Sequence, residues 1–478
     1  MLTDSFPKLK DSKLIRALRA FLGSPFYLAL VVLLMVAANV FSIELYVFYA
    51  YLFLAALVVF FAEDLRGIIS ITLCCYMSIS YPNNPAMNVG DAAFYQPEFI
   101  AHMVYIIAVA SVLLIGRLVS ILVYGEKRKF PRLTIGFVAL GVSLILGGLL
   151  SGYYTLRTAF FGFVIIASLC ALYFLFYYSV NWKTLSKAYW AQIFLAIGLG
   201  LFLELLAIYI KADIFHSGVP NRGVIITGWG MYNNIGCVIA MCLPAPLYLA
   251  IVKKRGWIFT LLAFVLLLGL VFTQSRGSIL FGGILFIIEF VLLMIFVKGR
   301  ARMPHLIVAA VCVGIVAAVV IVALAVPAWR NKIIKLFADL FAKGTSDNGR
   351  WPIYRSGIEH FKQAPAFGMG FYEVDYDIIY RWGSMTESAF LPPRYHNTII
   401  QLLASGGIVA LVCYLLHRVE TVFLFFRHPT KEKSFIALGI AALLLTSLVE
   451  CHFFSFGPGM LYAVLLVFAE GTDKIIKE

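Results

Sequence analysis

The stretch 256-GWIFTLLAFVLLLGLVFTQSRGSILFGGILFIIEFVLLMIFVKGR-300 decides how the chain is read. Two apolar runs, near 256–273 and 279–297, flank the polar turn 273-TQSRGS-278. Between Gly256 and Val297 only Arg276 and Glu289 carry charge. A bilayer-spanning helix needs roughly 20 apolar residues, and each run is close to that length. Lipid is their natural solvent, and 273–278 is a turn at the membrane surface.

Moving outward, the same ruler finds about 14 candidate spans. They lie near 25–43, 45–62, 67–80, 100–123, 133–151, 158–179, 190–210, 232–252, 256–273, 279–297, 306–326, 396–416, 434–450 and 455–469. The expected fold is an all-α integral membrane protein, a single polytopic bundle over 1–478 with 12–14 helices. Composition agrees. Of the 478 residues, 62% are apolar and 13% charged, against about 25% charged in a soluble domain. A soluble chain could not hide so much apolar surface. The apolar run after residue 25 is long enough to span, so it reads as an anchor and not as a cleaved leader.

The net charge of +14 raises nucleic acid as a partner. The basic residues, however, fall in short runs between apolar segments, which is a topology signal and not a groove-binding stripe. The eight cysteines sit in or beside apolar segments. They imply neither a disulfide framework nor a zinc site.

Lys8, Lys10, Lys13, Arg16 and Arg19 assign the N-terminus to the cytoplasm. Alternation then keeps 126-EKRKFPR-132, 253-KKR-255, 298-KGRAR-302, 427-RHPTKEK-433 and the C-terminus inside. The long connection 328–395 falls outside. Within it Trp329, Ile333, Leu336, Phe337, Leu340 and Phe341 recur at helical spacing, as in a helix lying on the outer surface. Ser346 or Asp347 can cap a second helix with Trp351, Tyr354, Ile358 and Phe361 on one side. Pro365 and the glycines of 367-FGMGF-371 end it.

Three outward-facing places concentrate polar groups. They are 218-GVPNRGVIITGWGMYNN-234 with Arg222, Asn233 and Asn234; the turn with Ser275 and Arg276; and 394-RYHN-397 with Arg394, His396 and Asn397. Arginine offers a planar fork of donors suited to phosphate oxygens. Two of them at the outer boundary can hold a pyrophosphate and stabilise charge growing on it as it leaves. Histidine can take a proton from an attacking hydroxyl, and Asn397 can orient that ring or bind a sugar. The bland readings are snorkelling for Arg276 and helix capping for His396, Asn233 and Asn234. What favours function is their joint occurrence on one side.

These residues resemble the O-antigen ligase and polymerase superfamily of bacterial membrane glycosyltransferases. The resemblance rests on the Ser-Arg-Gly turn in 273-TQSRGS-278 and on 350-RWPIYRSGIEHFKQAPAFGMGF-371, an Arg-rich helix ending in a P-x-x-G-x-G turn. It is completed by 395-YHNTIIQLLASGGIVALV-412, a His-Asn pair leading into a Gly-containing helix. It is specific over 256–415 and architectural elsewhere, and around Arg222 the family's Pro-Asn surroundings are replaced by GWGMYNN. It implies an undecaprenyl-pyrophosphate-linked oligo- or polysaccharide as donor, with no metal, nucleotide sugar or other cofactor. By the same resemblance Arg276 and Arg222 contact the pyrophosphate and His396 activates the acceptor. Asn397, Arg394, Ser275, Asn234, Arg355 and Arg350 are the expected substrate contacts.

The acceptor is a glycan, a lipid or a protein, and direct displacement would invert the anomeric centre. Asp375 and Asp377 mimic a metal-binding Asp-x-Asp but read as loop solvation, and Glu387 as a solvated carboxylate. His360 shares the second loop helix with Arg355. Glu204, Glu289 and Arg117 lie within spans, where charge marks either function or an ion pair. The rival reading is an exporter or flippase, which predicts a repeat between halves; no repeat is visible.

Overall fold

The computed structural model describes residues 12–78, 97–124, 129–152, 154–213, 220, 222–228, 230–325, 330–331, 334, 350–371 and 395–476. The expected surface helix around Trp329–Phe341 falls largely outside them, as do Asp375, Asp377, Glu387 and Arg394.

The first half runs α1 (Lys13–Leu22), α2 (Pro25–Phe41), α3 (Glu44–Phe61), α4 (Arg66–Met77), α5 (Pro97–Tyr124), α6 (Thr134–Ile145), α7 (Leu156–Ser179) and α8 (Tyr189–Lys211). A two-stranded antiparallel hairpin follows, β1 (Ile226–Thr227) and β2 (Gly230–Met231), with Ile226 opposite Met231. Then come α9 (Tyr232–Cys242), α10 (Pro244–Val252), α11 (Gly256–Phe272), α12 (Arg276–Phe296), α13 (Met303–Ala325), α14 (Arg350–Gln363), α15 (Thr398–Phe426), α16 (Lys431–Thr446) and α17 (Phe456–Ile476).

Local chemistry sets the boundaries. Ser12, Ser24, Thr155, Asn397 and Thr430 each cap a helix by accepting a backbone N–H. Pro25 follows its cap at a position where a missing N–H costs nothing. α1 and α2 are bent by 60° relative to one another. This leaves α1 with Ile15 and Leu22 buried and Lys13 and Arg16 exposed, while Arg19 Nε donates to Phe61 O at 2.9 Å.

A helix occupies every apolar segment named above, but the segments are not equal. Eight helices among the described residues are long and apolar enough to cross a membrane, nine if α1 and α2 form one bent span. The remainder are shorter. The apolar ruler overestimates 133–151, where α6 ends at Ile145 and the chain turns through Gly148 at φ 88°. It also overestimates 434–450, where α16 ends at Thr446 and residues 447–450 leave the helix.

The bundle's centre is the span formed by α9 and α10, 89% buried, and the middle of α17, where Leu461–Ala469 is almost wholly inaccessible. In lipid an all-apolar helix can lie in the core or at the periphery, so apolarity alone does not place it. α5 and α13, each 6% buried over their spanning window, lie at the periphery. Arg117 does not neutralise a buried acid. Its guanidinium donates to the carbonyls of Ala62 and Glu63, while Glu204 bonds to Asn39 at 2.8 Å.

One irregularity matters for function. α15 is broken at Gly407, whose φ of 66° and ψ of −164° are closed to other residues at little cost. A broken helix inside a membrane exposes amides and carbonyls that lipid cannot satisfy. The segment 365-PAFGMGF-371 satisfies them. Met369 N donates to Ala404 O (2.7 Å), Gly370 N to Ser405 O (2.9 Å) and Ile408 N to Pro365 O (2.9 Å). A Cβ on Gly368 would fall 2.4 Å from the Ser405 carbonyl carbon, and one on Gly370 2.2 Å from Thr158 Cγ2. The glycines of this strap are there for contact, and the strap holds the C-terminal end of α14 against α15.

Candidate functional site

At one end of the bundle the links before α9, α12, α15 and α17 meet. The turn before α12 is Gln274–Ser275, with Gln274 at φ 55°. Gln274 Nε2 donates to Tyr209 Oη and to Pro220 O, both at 3.0 Å, tying this turn to the segment that carries Arg222. Two small residues bring its neighbours close. A Cβ on Gly236 of α9 would sit 2.8 Å from Ser278 Cβ, and one on Gly277 would sit 2.7 Å from Val449 Cγ2. The Ser-Arg-Gly turn thus admits α9 on one side and residues 447–450 on the other.

Ser275 Oγ donates to Asn233 Oδ1 at 2.9 Å and lies 2.9 Å from Ser278 Oγ. A hydroxyl has one proton to give, so Ser278 is the donor in the second contact. Asn233 turns its amide nitrogen to Glu450 Oε1 at 2.9 Å. Arg350, the first residue of α14, donates to the same oxygen at 3.1 Å. The other carboxylate oxygen, Oε2, accepts from His396 Nδ1 at 2.8 Å. Asn234 Oδ1 accepts from His452 Nδ1 at 3.0 Å.

Glu450 is therefore the hub, and it is 8% exposed. Burial pushes its carboxyl upward. The hydrogen bond and charge of His396, then the charges of His452 and Arg350, more than reverse this and hold it at about 2. It stays ionised at neutral pH. A fixed carboxylate on Nδ1 pins the imidazole proton there and turns Nε2 into the basic nitrogen. Nε2 makes no hydrogen bond among the described residues.

His396 has φ 50°, a left-handed conformation that costs a non-glycine residue about 1–3 kcal/mol and is found where function over-determines the backbone. The surroundings hold it. Tyr354 Oη donates to His396 O at 3.2 Å, and burial raises the Tyr354 hydroxyl so that it stays protonated. Thr398 N donates to Ser447 O at 3.0 Å. α14 reaches this region through Gly357, whose added Cβ would stand 2.4 Å from Ile400 Cγ2. The side of α14 that packs is thus set by Gly357, with Tyr354 and Phe361 partly covered and Trp351 and Ile358 exposed. Further along, Tyr395 Oη lies 2.6 Å from His360 Nδ1. Burial lowers the histidine and raises the tyrosine, so the hydroxyl gives its proton to a neutral ring.

Of the residues singled out from sequence, His396, Asn233, Asn234, Ser275 and Arg350 are brought together. Arg276 opens α12 beside them. Arg222 stands off, its guanidinium 5.2 Å above the ring of Tyr232, the residue before Asn233. Arg355 is exposed on α14. The ring of His396 is oriented by Glu450 and not by Asn397. Asn397 caps α15 by accepting from Ile399 N and Ile400 N, and it donates to Leu448 O at 2.9 Å. Glu450 and His452 were passed over, read as the tail of one span and the turn to the next. Their signal was a Glu-x-His polar interruption on the side that alternation already assigned to His396. Among the described residues no group of three or more His, Cys, Asp or Glu is placed to hold a metal ion.

Residues 261–415 match the family model described as O-antigen ligase. The chain carries an O-antigen ligase domain. No curated protein matches the chain. The ligase match contains Ser275, Arg276, Arg350, His396 and the strap with its partner break at Gly407. Arg222, Asn233, Asn234, Glu450 and His452 lie outside it, so the candidate site draws on both flanks of the matched region. The match supports a general glycan transfer of the O-antigen ligase kind, and the apolar helices a multi-pass membrane protein.

Proposed function

We propose that the chain transfers a glycan from a polyprenyl-pyrophosphate carrier to an acceptor hydroxyl at the outer face of the cytoplasmic membrane, with both termini inside. The observation that carries this reading is the 2.8 Å bond between His396 Nδ1 and Glu450 Oε2, set where four inter-helix links meet. With Nδ1–H held by an ionised carboxylate, Nε2 accepts the acceptor's proton. The acceptor oxygen then bonds to the anomeric carbon while that carbon's bond to the pyrophosphate oxygen breaks, and the electron pair leaves with the lipid pyrophosphate. Arg276 and Arg222 neutralise the charge that develops there, and Arg394, outside the described residues, is a further proposed substrate contact. Arg355 lies along the outer side of α14, where a polymeric substrate would pass.

Glu450 spends its oxygens on Asn233, Arg350 and His396 and is not a nucleophile in this scheme. A single carboxylate so engaged supports direct, inverting displacement over a covalent glycosyl-enzyme, which uses a pair. The donor's tail stays in the bilayer, and the acceptor is a lipid-linked glycan, a lipid or a protein hydroxyl. The test is transfer from a purified lipid-pyrophosphate glycan to each acceptor class by the protein in nanodiscs. Wild type is expected to transfer, and His396→Ala and Arg276→Ala to fall by at least about a hundredfold. Full activity in both variants would remove the site from the reaction.

A further inference from the structure

A second polar cluster lies at membrane depth and takes no part in the mechanism above. The guanidinium carbon of Arg418 is 4.5 Å from the ring centroid of Tyr414, 4.8 Å from that of Phe453 and 4.8 Å from that of Tyr462. Its Nη1 donates to Tyr462 Oη at 2.8 Å. Its Nε and Nη2 are buried with no hydrogen-bond partner among the described residues, and no carboxylate lies within ion-pair distance among them. Tyr462 Oη, already accepting from Arg418, passes its own proton to His417 Nε2 at 2.8 Å.

A guanidinium without a counter-charge is costly inside a membrane domain. Three ring faces and one hydroxyl offset part of that cost. A methionine would fill the same volume with no charge to desolvate, so packing alone does not account for an arginine here. What the box holds suggests its purpose. Phe453 belongs to the 3-10 turn His452–Phe454, immediately after Glu450, and packs edge-on against Tyr414 at 5.3 Å and Tyr462 at 5.8 Å. The next residue, Phe454, leans on Phe371 of the strap at 5.6 Å. Arg418 itself sits on α15 beyond the Gly407 break, and α15 begins two residues after His396. One end of the helix thus follows the imidazole, and the other grips the turn that follows Glu450.

We propose that Arg418 is a positioning residue: clamping Phe453 in its aromatic box, it fixes residues 450–454 against α15 and thereby sets the Glu450–His396 contact. This deepens the reading of His396 as the base and rests on it. The groups facing Glu450 are His396, His452, Arg350 and Asn233. Arg418 is not among them, and its link to Glu450 runs through Phe453, three residues further along the chain.

The experiment compares Arg418→Met, which keeps length and packing without charge, with Arg418→Lys, which keeps charge without the planar fork. Arg418→Met is expected to lower kcat roughly a hundredfold, the scale of a misplacement near 1 Å, with KM for donor and acceptor unchanged. Arg418→Lys recovers part of the rate. A readout independent of turnover is the imidazole 15N signal of His396 in full-length protein in nanodiscs. It is expected to report a carboxylate-bonded Nδ1–H in wild type and its loss in Arg418→Met. An unchanged His396 signal in Arg418→Met overturns the proposal, whether or not kcat falls. If wild type transfers no glycan while the His396 signal responds as expected, glycosyl transfer fails and the positioning role stands.

Discussion

Replacing Glu450 by glutamine changes one oxygen for an amide nitrogen in the hub of the site. In the wild-type protein Glu450 Oε1 receives Asn233 and Arg350, and Oε2 receives His396. Glutamine can keep its oxygen on the first pair, which leaves its NH2 facing the imidazole. An amide donor opposite Nδ1 forces the ring proton onto Nε2, the nitrogen that must accept the substrate's proton. The base is lost without a change in shape. The carboxyl is held at about 2 against a reference of 4.5, a gap of roughly 2.5 units, or about 3 kcal/mol at 1.36 kcal/mol per unit. Glu450 is nearly buried, so solvent screening takes little from this figure. Because the folded value is depressed, the stabilisation is complete above the unfolded value near 4.5 and drains away as pH falls toward about 2. Glu450→Gln is expected to unfold at lower temperature above pH 4.5, by up to the equivalent of about 3 kcal/mol, and to approach wild type near pH 2. It should lose a factor of about 10² to 10⁴ in kcat, the range for general-base catalysis. Thermal unfolding and single-turnover transfer in nanodiscs measure the two effects. A Glu450→Gln protein with wild-type kcat, or with an undiminished stability gap at low pH, would refute the reasoning.

Three further outcomes follow from the same geometry. Gly357→Ala places a Cβ 2.4 Å from Ile400 Cγ2; the overpacking should cost about 1–3 kcal/mol, lift Arg350 from Glu450 and lower kcat at least about tenfold, read by thermal unfolding and transfer rate. Gly407→Ala combines a left-handed φ of 66° with a Cβ 2.3 Å from Ala366 O; it should free the strap, seen as faster proteolysis within 365–371. Transfer should proceed undiminished in excess chelator, and a strict need for a divalent ion would return attention to Asp375 and Asp377.

Much of this architecture was legible because lipid imposes a simple rule on sequence. Apolar length marked the helices of every segment named from it, though not α1 or α14, and the alternation expected from the Lys/Arg runs put His396, Ser275 and Asn233 on one side. Lengths were less legible, since a helix inside the bundle needs no full span. α6 and α16 stop early, and the residues after α16 became the hub of the site. Glu450 escaped notice for a physical reason: nothing in one sequence tells which of several surface carboxylates is buried among donors. The function of 365-PAFGMGF-371 was equally hidden. Its glycines read as a helix stop, whereas their role is to pair with a break 40 residues on, a long-range match that no local pattern encodes. Arg355 is an expected substrate contact and Trp351 an expected member of the apolar face, but Gly357 sets a different side of α14 inward and leaves both exposed.

The most direct test of the account is to count lipid pyrophosphate released per glycosidic bond formed, with the anomeric configuration of the product determined by NMR. The account predicts one pyrophosphate per bond, inversion at the anomeric carbon, and release from His396→Ala slowed at least about a hundredfold. Retention of configuration, or undiminished release from His396→Ala, would contradict it.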